Sequence, residues 1–68
     1  MKNRYVVVLT LECFNEVSRS LFYQTVNEFV FATNSLDAIE LAQKNVAKKV
    51  TKGTHIVHSR LEHIEIQY

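Results

Sequence analysis

Histidine and cysteine are the residue types in this chain that could bind a metal ion. His55, His58 and His63 lie close together in the sequence, and Cys13 lies in an apolar segment nearer the other end. A zinc site needs three or four such ligands converging at about 2 Å. On a strand, His55 and His58 would differ by an odd number of positions and point to opposite faces. We therefore predict no metal site and no cofactor.

The sequence also lacks the patterns of common catalytic sites. No pair of carboxylates lies in an apolar setting, and no glycine-rich loop could bind a phosphate. Ser18, Ser20 and Ser59 have no nucleophile signature around them. A chain of 68 residues has little room for the pocket of about 300 Å³ that small ligands require. We predict that the protein is not an enzyme.

A lysine cluster offers a different chemistry, the binding of nucleic-acid phosphates. Lys44, Lys48, Lys49 and Lys52 lie close together, but the formal net charge of the whole chain is only +1. Cations also collect at helix C-termini because they complement the helix dipole. We expect this solvated role for the four lysines and keep nucleic-acid binding as an alternative, since phosphate contacts need a basic surface.

Polar residues near the end of the chain suggest a protein contact instead. Arg60 and Glu62 lie between His58 and His63, at a point where the apolar alternation changes phase. Arginine is enriched at interface hot spots, so Arg60 is the first candidate. Aromatic residues on a sheet face would add apolar contact area. The predicted partner-binding residues are Glu12, Tyr23, Phe31, His58, Arg60 and Glu62.

The elements that position these residues begin with a central strand. The segment Arg4 to Phe14 is apolar in both alternating registers, with Tyr5, Val7, Leu9 and Leu11 in one and Val6 and Val8 in the other. Such a run requires cover on both faces. A second strand is predicted from Leu21 to Ala32, with Asn27 and Glu28 as a bulge or a solvent-facing interruption. A short loop makes the two strands antiparallel neighbours.

A helix follows, and its ends carry recognisable signals. Ser35 is the predicted N-cap, and Asp37 and Glu40 complement the positive end of the helix. Gly53, the only glycine, is the predicted C-terminal cap in the left-handed conformation. The predicted apolar stripe comprises Leu36, Ile39, Ala42 (or Gln43), Val46 and Val50, flanked by Ala38, Leu41 and Ala47.

The last segment returns to strand alternation from Thr54 onward. Its phase change predicts a bulge, bend or break between Arg60 and His63, after which the last six residues could form a separate short strand. A right-handed crossover places the third strand beside the first. The prediction is a single small α+β domain over residues 1–68, with a three-stranded antiparallel sheet in the order 2-1-3 and one helix on one face.

One helix leaves the other face of the sheet uncovered. Large apolar side chains there would each lose about 1.5 to 3 kcal/mol of burial in a lone monomer. We expect one of three covers: the C-terminal segment Ile64 to Tyr68, a second copy of the chain, or a different protein. A single cysteine and the absence of a membrane-spanning or signal-peptide pattern lead us to expect a complete, soluble, cytoplasmic product.

A resemblance to a known protein family indicates what kind of partner this surface would bind. The residues Leu9-Thr10-Leu11-Glu12, the segment Ser35 to Ala42, Gly53 and a last strand containing Arg60 resemble small early bacteriophage proteins that inhibit host RNA polymerase in podoviruses. That family has a strand-strand-helix-strand fold and binds through acidic groups and two arginines spaced by one residue. Arg60 matches the second arginine, Glu12 matches an acidic member, and His58 stands where the first arginine would be.

The resemblance implies a small phage-type protein that binds and inhibits a bacterial host protein by steric occlusion. The target would be RNA polymerase or a defence complex such as CRISPR-Cas, in the cytoplasm of the host cell. Two alternatives stay open, a nucleic-acid-binding module that uses the lysine cluster and a structural homodimer. No membrane partner is expected.

Overall fold

The computed structural model describes residues 1–68 as three long strands and one helix. Their order is β1 (Asn3–Asn15), β2 (Ser20–Ala32), α1 (Ser35–Lys48) and β3 (Thr54–Gln67). The sheet order is β2-β1-β3, and β1 is antiparallel to both neighbours. This confirms the predicted α+β class, the strand-strand-helix-strand order and the central position of the first strand.

The helix covers the face of β1 that carries its larger apolar set. Tyr5, Val7, Leu9, Leu11 and Cys13 are all buried there. Two residues of β2 and three of the helix complete the core: Val30, Ala32, Ala38, Ala42 and Val46. The alternation of β1 therefore divides it into a helix-facing register and an outward register that begins with Arg4, Val6 and Val8.

The apolar stripe of the helix differs from the predicted one. The buried helix residues are Ala38, Ala42 and Val46, whereas Leu36 is 65% exposed. Small alanine side chains at four-residue spacing allow the helix backbone to approach the large side chains of β1 closely. Leu36 lies in the first turn, to one side of this contact line, and the prediction that it belongs to the stripe is wrong.

Both predicted helix caps are also corrected. The N-cap is Asn34, whose side-chain Oδ1 accepts a hydrogen bond of 2.9 Å from the Asp37 backbone N–H. Ser35 is already the first helical residue. The helix ends at Lys48 with Lys49 as its cap, so Gly53 does not cap it.

Gly53 forms the turn that leads into β3. Its φ of +89° lies in the region that glycine adopts without a steric penalty. The Thr54 N–H donates to the Thr51 carbonyl over 2.9 Å, and the Gly53 carbonyl accepts from the Glu16 N–H over 2.8 Å. The prediction of a left-handed glycine is correct, but this glycine joins the turn to the β1–β2 hairpin instead of ending the helix.

The β1–β2 hairpin turns through a polar segment without an Asn-Gly pair. The Asn15 Oδ1 atom accepts hydrogen bonds from the Val17 and Ser18 N–H groups at 2.9 and 3.0 Å. Arg19 has a positive φ of 55°. The side chain of Asn15 therefore organises the turn in the manner of an Asx turn.

The predicted interruption of β2 at Asn27 and Glu28 is absent. β2 pairs with β1 without a register shift from Ser20 to Ala32. Glu28 belongs to the helix-facing register and is 7% exposed. Its two carboxylate oxygens each accept a hydrogen bond of 3.0 Å from the Lys49 Nζ atom. A carboxylate in this register is buried only because that lysine reaches over it from beyond the helix end.

β3 carries two bulges, one predicted and one not. The register with β1 shifts between Val8 and Leu9 and again between Glu12 and Cys13. The first shift leaves Glu62 as an extra residue, within the predicted range from Arg60 to His63. The second leaves Val57 as an extra residue. β3 continues to Gln67 in hydrogen-bonded pairing with β1, so a separate C-terminal strand and a C-terminal segment folded over the sheet are both ruled out.

Candidate protein-binding face

We use the term open face for the side of the sheet opposite the helix. The central strand contributes Arg4, Val6, Val8, Thr10, Glu12 and Phe14 to it. Because residues directly opposite each other share a face, the register adds six residues of β2: Leu21, Tyr23, Thr25, Asn27, Phe29 and Phe31. The open face thus has an aromatic end near Arg4 and a polar end near Glu12.

All three strands contribute to the polar end. The register places Glu12 between Tyr23 and His58, and Thr10 opposite Arg60. These five residues, Thr10, Glu12, Tyr23, His58 and Arg60, line a shallow depression of about 210 Å³, which we call the polar depression. The structure therefore brings together four of the six predicted partner-binding residues, and Glu62 adjoins them through Arg60.

The Glu12 carboxylate interacts with the Tyr23 phenol across β1 and β2. The phenol donates a hydrogen bond of 3.1 Å to the Glu12 Oε1 atom. This hydrogen bond, with the negative charge behind it, raises the pKa of Tyr23 above its ordinary value of 10.0. Tyr23 is consequently held as a neutral donor, and the residue is 71% exposed.

Arg60 interacts with Glu62 on its own strand. The Arg60 Nε atom donates to the Glu62 Oε1 atom over 2.7 Å, and the Arg60 Nη2 atom contacts the same oxygen. Hydrogen bonds from Arg60 and from the Thr10 hydroxyl lower the pKa of Glu62 below its ordinary value of 4.5. Glu62 is the extra residue of a bulge, and its contacts with Arg60 and Thr10 place its carboxylate on the open face.

The histidines are arranged differently from the prediction. The register pairs His55 with Phe14 and His58 with Glu12, and both β1 residues belong to the open face. The bulge at Val57 inserts one residue between the two histidines, so the prediction that they point to opposite faces is wrong. Two of the histidines have carboxylate partners. His55 contacts Glu16, and the Nε2 atom of His63 lies 3.4 Å from the Oε2 atom of Glu65.

No three metal-ligating side chains converge anywhere in the chain. The structure contains no group of three or more histidine, cysteine, aspartate or glutamate side chains that could hold a metal ion. Cys13 is buried in the helix-facing register, on the other side of the sheet from His55 and His58. The ligand types that the sequence places near one another are therefore separated by the sheet itself.

The aromatic end of the open face is separate from the polar depression. Phe29 and Phe31 are 55% and 63% exposed, and the Arg4 guanidinium lies 5.5 Å from the centroid of the Phe29 ring. Phe31 is opposite Arg4, eight positions from Glu12 along β1, which is about 26 Å at the usual rise of a strand. Phe31 thus lies on the same face as the other predicted partner-binding residues but not in their patch.

The outward valines of β1 are less exposed than expected. Val6 is buried and Val8 is half-buried, because the neighbouring strands carry larger side chains opposite them. The exposed apolar surface of the open face is contributed by β2. Sequence reasoning did not identify Thr10 or Arg4 as parts of this surface. Both lie an even number of positions from Glu12 on β1, so strand alternation alone would have predicted them on the same face.

The lysine cluster does not form one free basic patch. Lys44 and Lys48 lie on the helix, whereas Lys49 and Lys52 follow it. Lys49 is paired with Glu28, so its charge is neutralised. Lys44 lines a second depression in which the carboxylates of Asp37 and Glu40 balance the charges of Lys44 and Lys2. These neighbours reduce the positive potential that a phosphate backbone would need.

Two further findings concern the whole chain. No helix has both the length and the apolar character needed to cross a membrane. The chain matches no protein-family model, no curated protein and no solved structure in comparisons with each.

Proposed function

We propose that this chain is a small, non-enzymatic protein of the bacteriophage host-takeover type. It binds a bacterial host protein, either RNA polymerase or a defence complex, through its open face and blocks it by steric occlusion. It acts in the cytoplasm of the host cell. The polar depression, to which all three strands contribute, is the observation on which the proposal rests.

The composition of the open face supports a protein partner. Protein interfaces combine aromatic anchors and arginine with a polar rim. The open face carries Phe29 and Phe31 at one end, and Tyr23 with Arg60 at the other. The depressions in the chain are shallow, which suits a side chain of a partner better than an enclosed small molecule.

The arrangement on a sheet favours recognition by a preformed surface. The side chains of the polar depression are carried by hydrogen-bonded strands, and Arg60 is already fixed by its contacts with the adjoining Glu62. Groups held in place before binding lose little conformational freedom in the complex. An inhibitor of this size can therefore act by occupying a surface that the target needs for another partner.

The proposal is tested by capture from bacterial lysate with matched variants. The immobilised wild-type chain should retain one bacterial protein in stoichiometric amount. Arg60→Glu should abolish this capture, because it removes the interface arginine and leaves Glu62 without the partner that holds its carboxylate. Lys44→Glu makes the same change of charge on the exposed helix surface and should leave the capture unchanged.

A transcription assay with purified bacterial RNA polymerase then identifies the target. Inhibition by wild type and by Lys44→Glu, but not by Arg60→Glu, would assign the polymerase. Stoichiometric capture of a defence complex without inhibition of transcription would assign that complex instead. The proposal fails if no protein is retained stoichiometrically, or if both variants lose the capture equally.

A further inference from the structure

The carboxylates of the open face differ in how their charges are balanced. Glu62 is paired with Arg60, and Glu65 lies 3.4 Å from His63. Glu12 has no ion pair and accepts only the hydroxyl hydrogen bond of Tyr23. Glu12 is also half-buried, so part of its hydration shell is lost. A partly desolvated carboxylate without a counter-charge is stabilised by any cation that reaches it.

The Arg60 guanidinium does not supply that cation. Its Nε and Nη2 atoms are directed at Glu62, and no ion pair joins it to Glu12. Two carboxylates and one guanidinium therefore meet at this end of the sheet, which leaves an excess of negative charge. An acidic side chain from a partner would be repelled here, whereas a basic one would complete the balance.

The Tyr23 ring adds a second element of recognition for a cation. The ring is exposed beside Glu12 while its hydroxyl is bound to that carboxylate. A guanidinium or ammonium group that reaches Glu12 can also lie against the ring, and cations are attracted to aromatic faces. The depression of about 210 Å³ is open to solvent and of a size for one long side chain, not for a folded segment.

We infer that the polar depression receives a single basic side chain, an arginine or a lysine, presented by the bacterial partner protein. The Glu12 carboxylate pairs with its charge, and the Tyr23 ring packs against its head group. The inference rests on the proposed function for the identity of the partner, but the chemistry of the depression can be measured without that partner.

The test is a titration of the isotope-labelled chain followed by NMR. The probe is N-acetyl-arginine amide, and the matched control is N-acetyl-citrulline amide, a neutral molecule of nearly the same shape. Over a range of up to about 50 mM, suited to millimolar affinity, arginine should shift the amide signals of Glu12, Tyr23 and His58 in a saturable way. Citrulline should bind more weakly by up to about fivefold, the effect of losing one exposed ion pair.

Two variants separate the depression from general surface charge. Glu12→Gln should weaken arginine binding by up to about fivefold. Glu65→Gln removes a carboxylate from the same face outside the depression and should leave the binding unchanged. Equal shifts by arginine and citrulline, or an unchanged titration of Glu12→Gln, would overturn the inference.

The outcomes also separate this inference from the proposed function. Stoichiometric capture of a bacterial protein, together with no selective arginine binding, would refute the inference and support the proposed function. Selective arginine binding without capture would refute the proposed function and support the binding of a basic side chain in the polar depression. The alternative source of the basic side chain is Arg4 of a second copy of this chain. Shifts that appear on concentrating the chain alone, and that Arg4→Gln abolishes, would overturn the assignment to a different protein.

Discussion

The ion pair between Glu28 and Lys49 gives the sharpest test of how this small chain is stabilised. Both oxygens of the Glu28 carboxylate accept hydrogen bonds of 3.0 Å from the Lys49 Nζ atom. The Glu28 side chain is 9% exposed, whereas that of Lys49 is 68% exposed. We predict that Lys49→Met, which keeps an apolar stem but removes the charge, destabilises the fold because it leaves a buried carboxylate without a partner.

The magnitude follows from the burial of the two partners. At 3.0 Å the attraction of two unit charges is about 5 kcal/mol for an effective dielectric constant of about 20. Much of this offsets the desolvation of Glu28, and breaking a fully buried pair costs about 3 to 5 kcal/mol. Because Lys49 is largely hydrated, we expect a smaller loss of about 2 kcal/mol. A domain of this size has a total stability of about 3 to 10 kcal/mol, so the effect is large.

The assay is thermal and urea denaturation followed by circular dichroism. A loss of about 2 kcal/mol lowers the Tm by roughly 8 to 16 °C in a domain of this size. Lys44→Met is the control, since this lysine has no ion pair in the structure, and its stability should stay within about 0.5 kcal/mol of wild type. The double variant Glu28→Met with Lys49→Met replaces both charges by apolar groups and should recover most of the loss.

The reasoning would be refuted by an unchanged Tm for Lys49→Met. Glu28 would then be hydrated in solution, and the buried position of its carboxylate would be wrong. Equal losses in Lys49→Met and Lys44→Met would instead point to a general effect of removing a lysine charge.

Two further predictions concern the helix cap and the polar depression. Asn34→Ala should destabilise the fold by about 1 kcal/mol because the Asp37 N–H loses its acceptor, whereas Ser35→Ala should have little effect; denaturation midpoints measure both, and the reverse order would contradict the cap. In the folded state the raised pKa of Tyr23 favours the neutral phenol, so its contribution to stability is present below pH 10.0 and is lost as the pH rises through the folded-state pKa. Glu12→Gln should move that pKa back towards 10.0 in an NMR titration of the tyrosine ring carbons, and an unmoved midpoint would refute the hydrogen bond.

Several features of the fold were predictable because they depend on local pattern. The double apolar register of β1 indicates a central strand, and the right-handed crossover rule independently places it in the centre. The phase change between Arg60 and His63 predicts the bulge that the structure locates at Glu62. Gly53 was identified as a left-handed residue because it is the only residue type that adopts that conformation freely.

Other features depended on contacts between distant parts of the chain. Asn27 and Glu28 have the polarity of an exposed interruption, but Lys49 neutralises Glu28 and allows the strand to run through. Asn34 and Ser35 are both good N-cap types, and the choice between them depends on where the chain leaves β2. The Val57 bulge has no signal in the alternation, yet it places His55 and His58 on one face.

The sequence by itself determined the order of the elements, the central strand and one of the two bulges, since side-chain alternation and chain connectivity carry that information. Only the tertiary structure decided which residues share the polar depression. Glu12, Tyr23 and Arg60 lie on three different strands, and their proximity follows from the pairing register. That register is set jointly by the hairpin turn, the crossover and the bulges, so a shift of one residue in any of them would move these side chains to opposite faces.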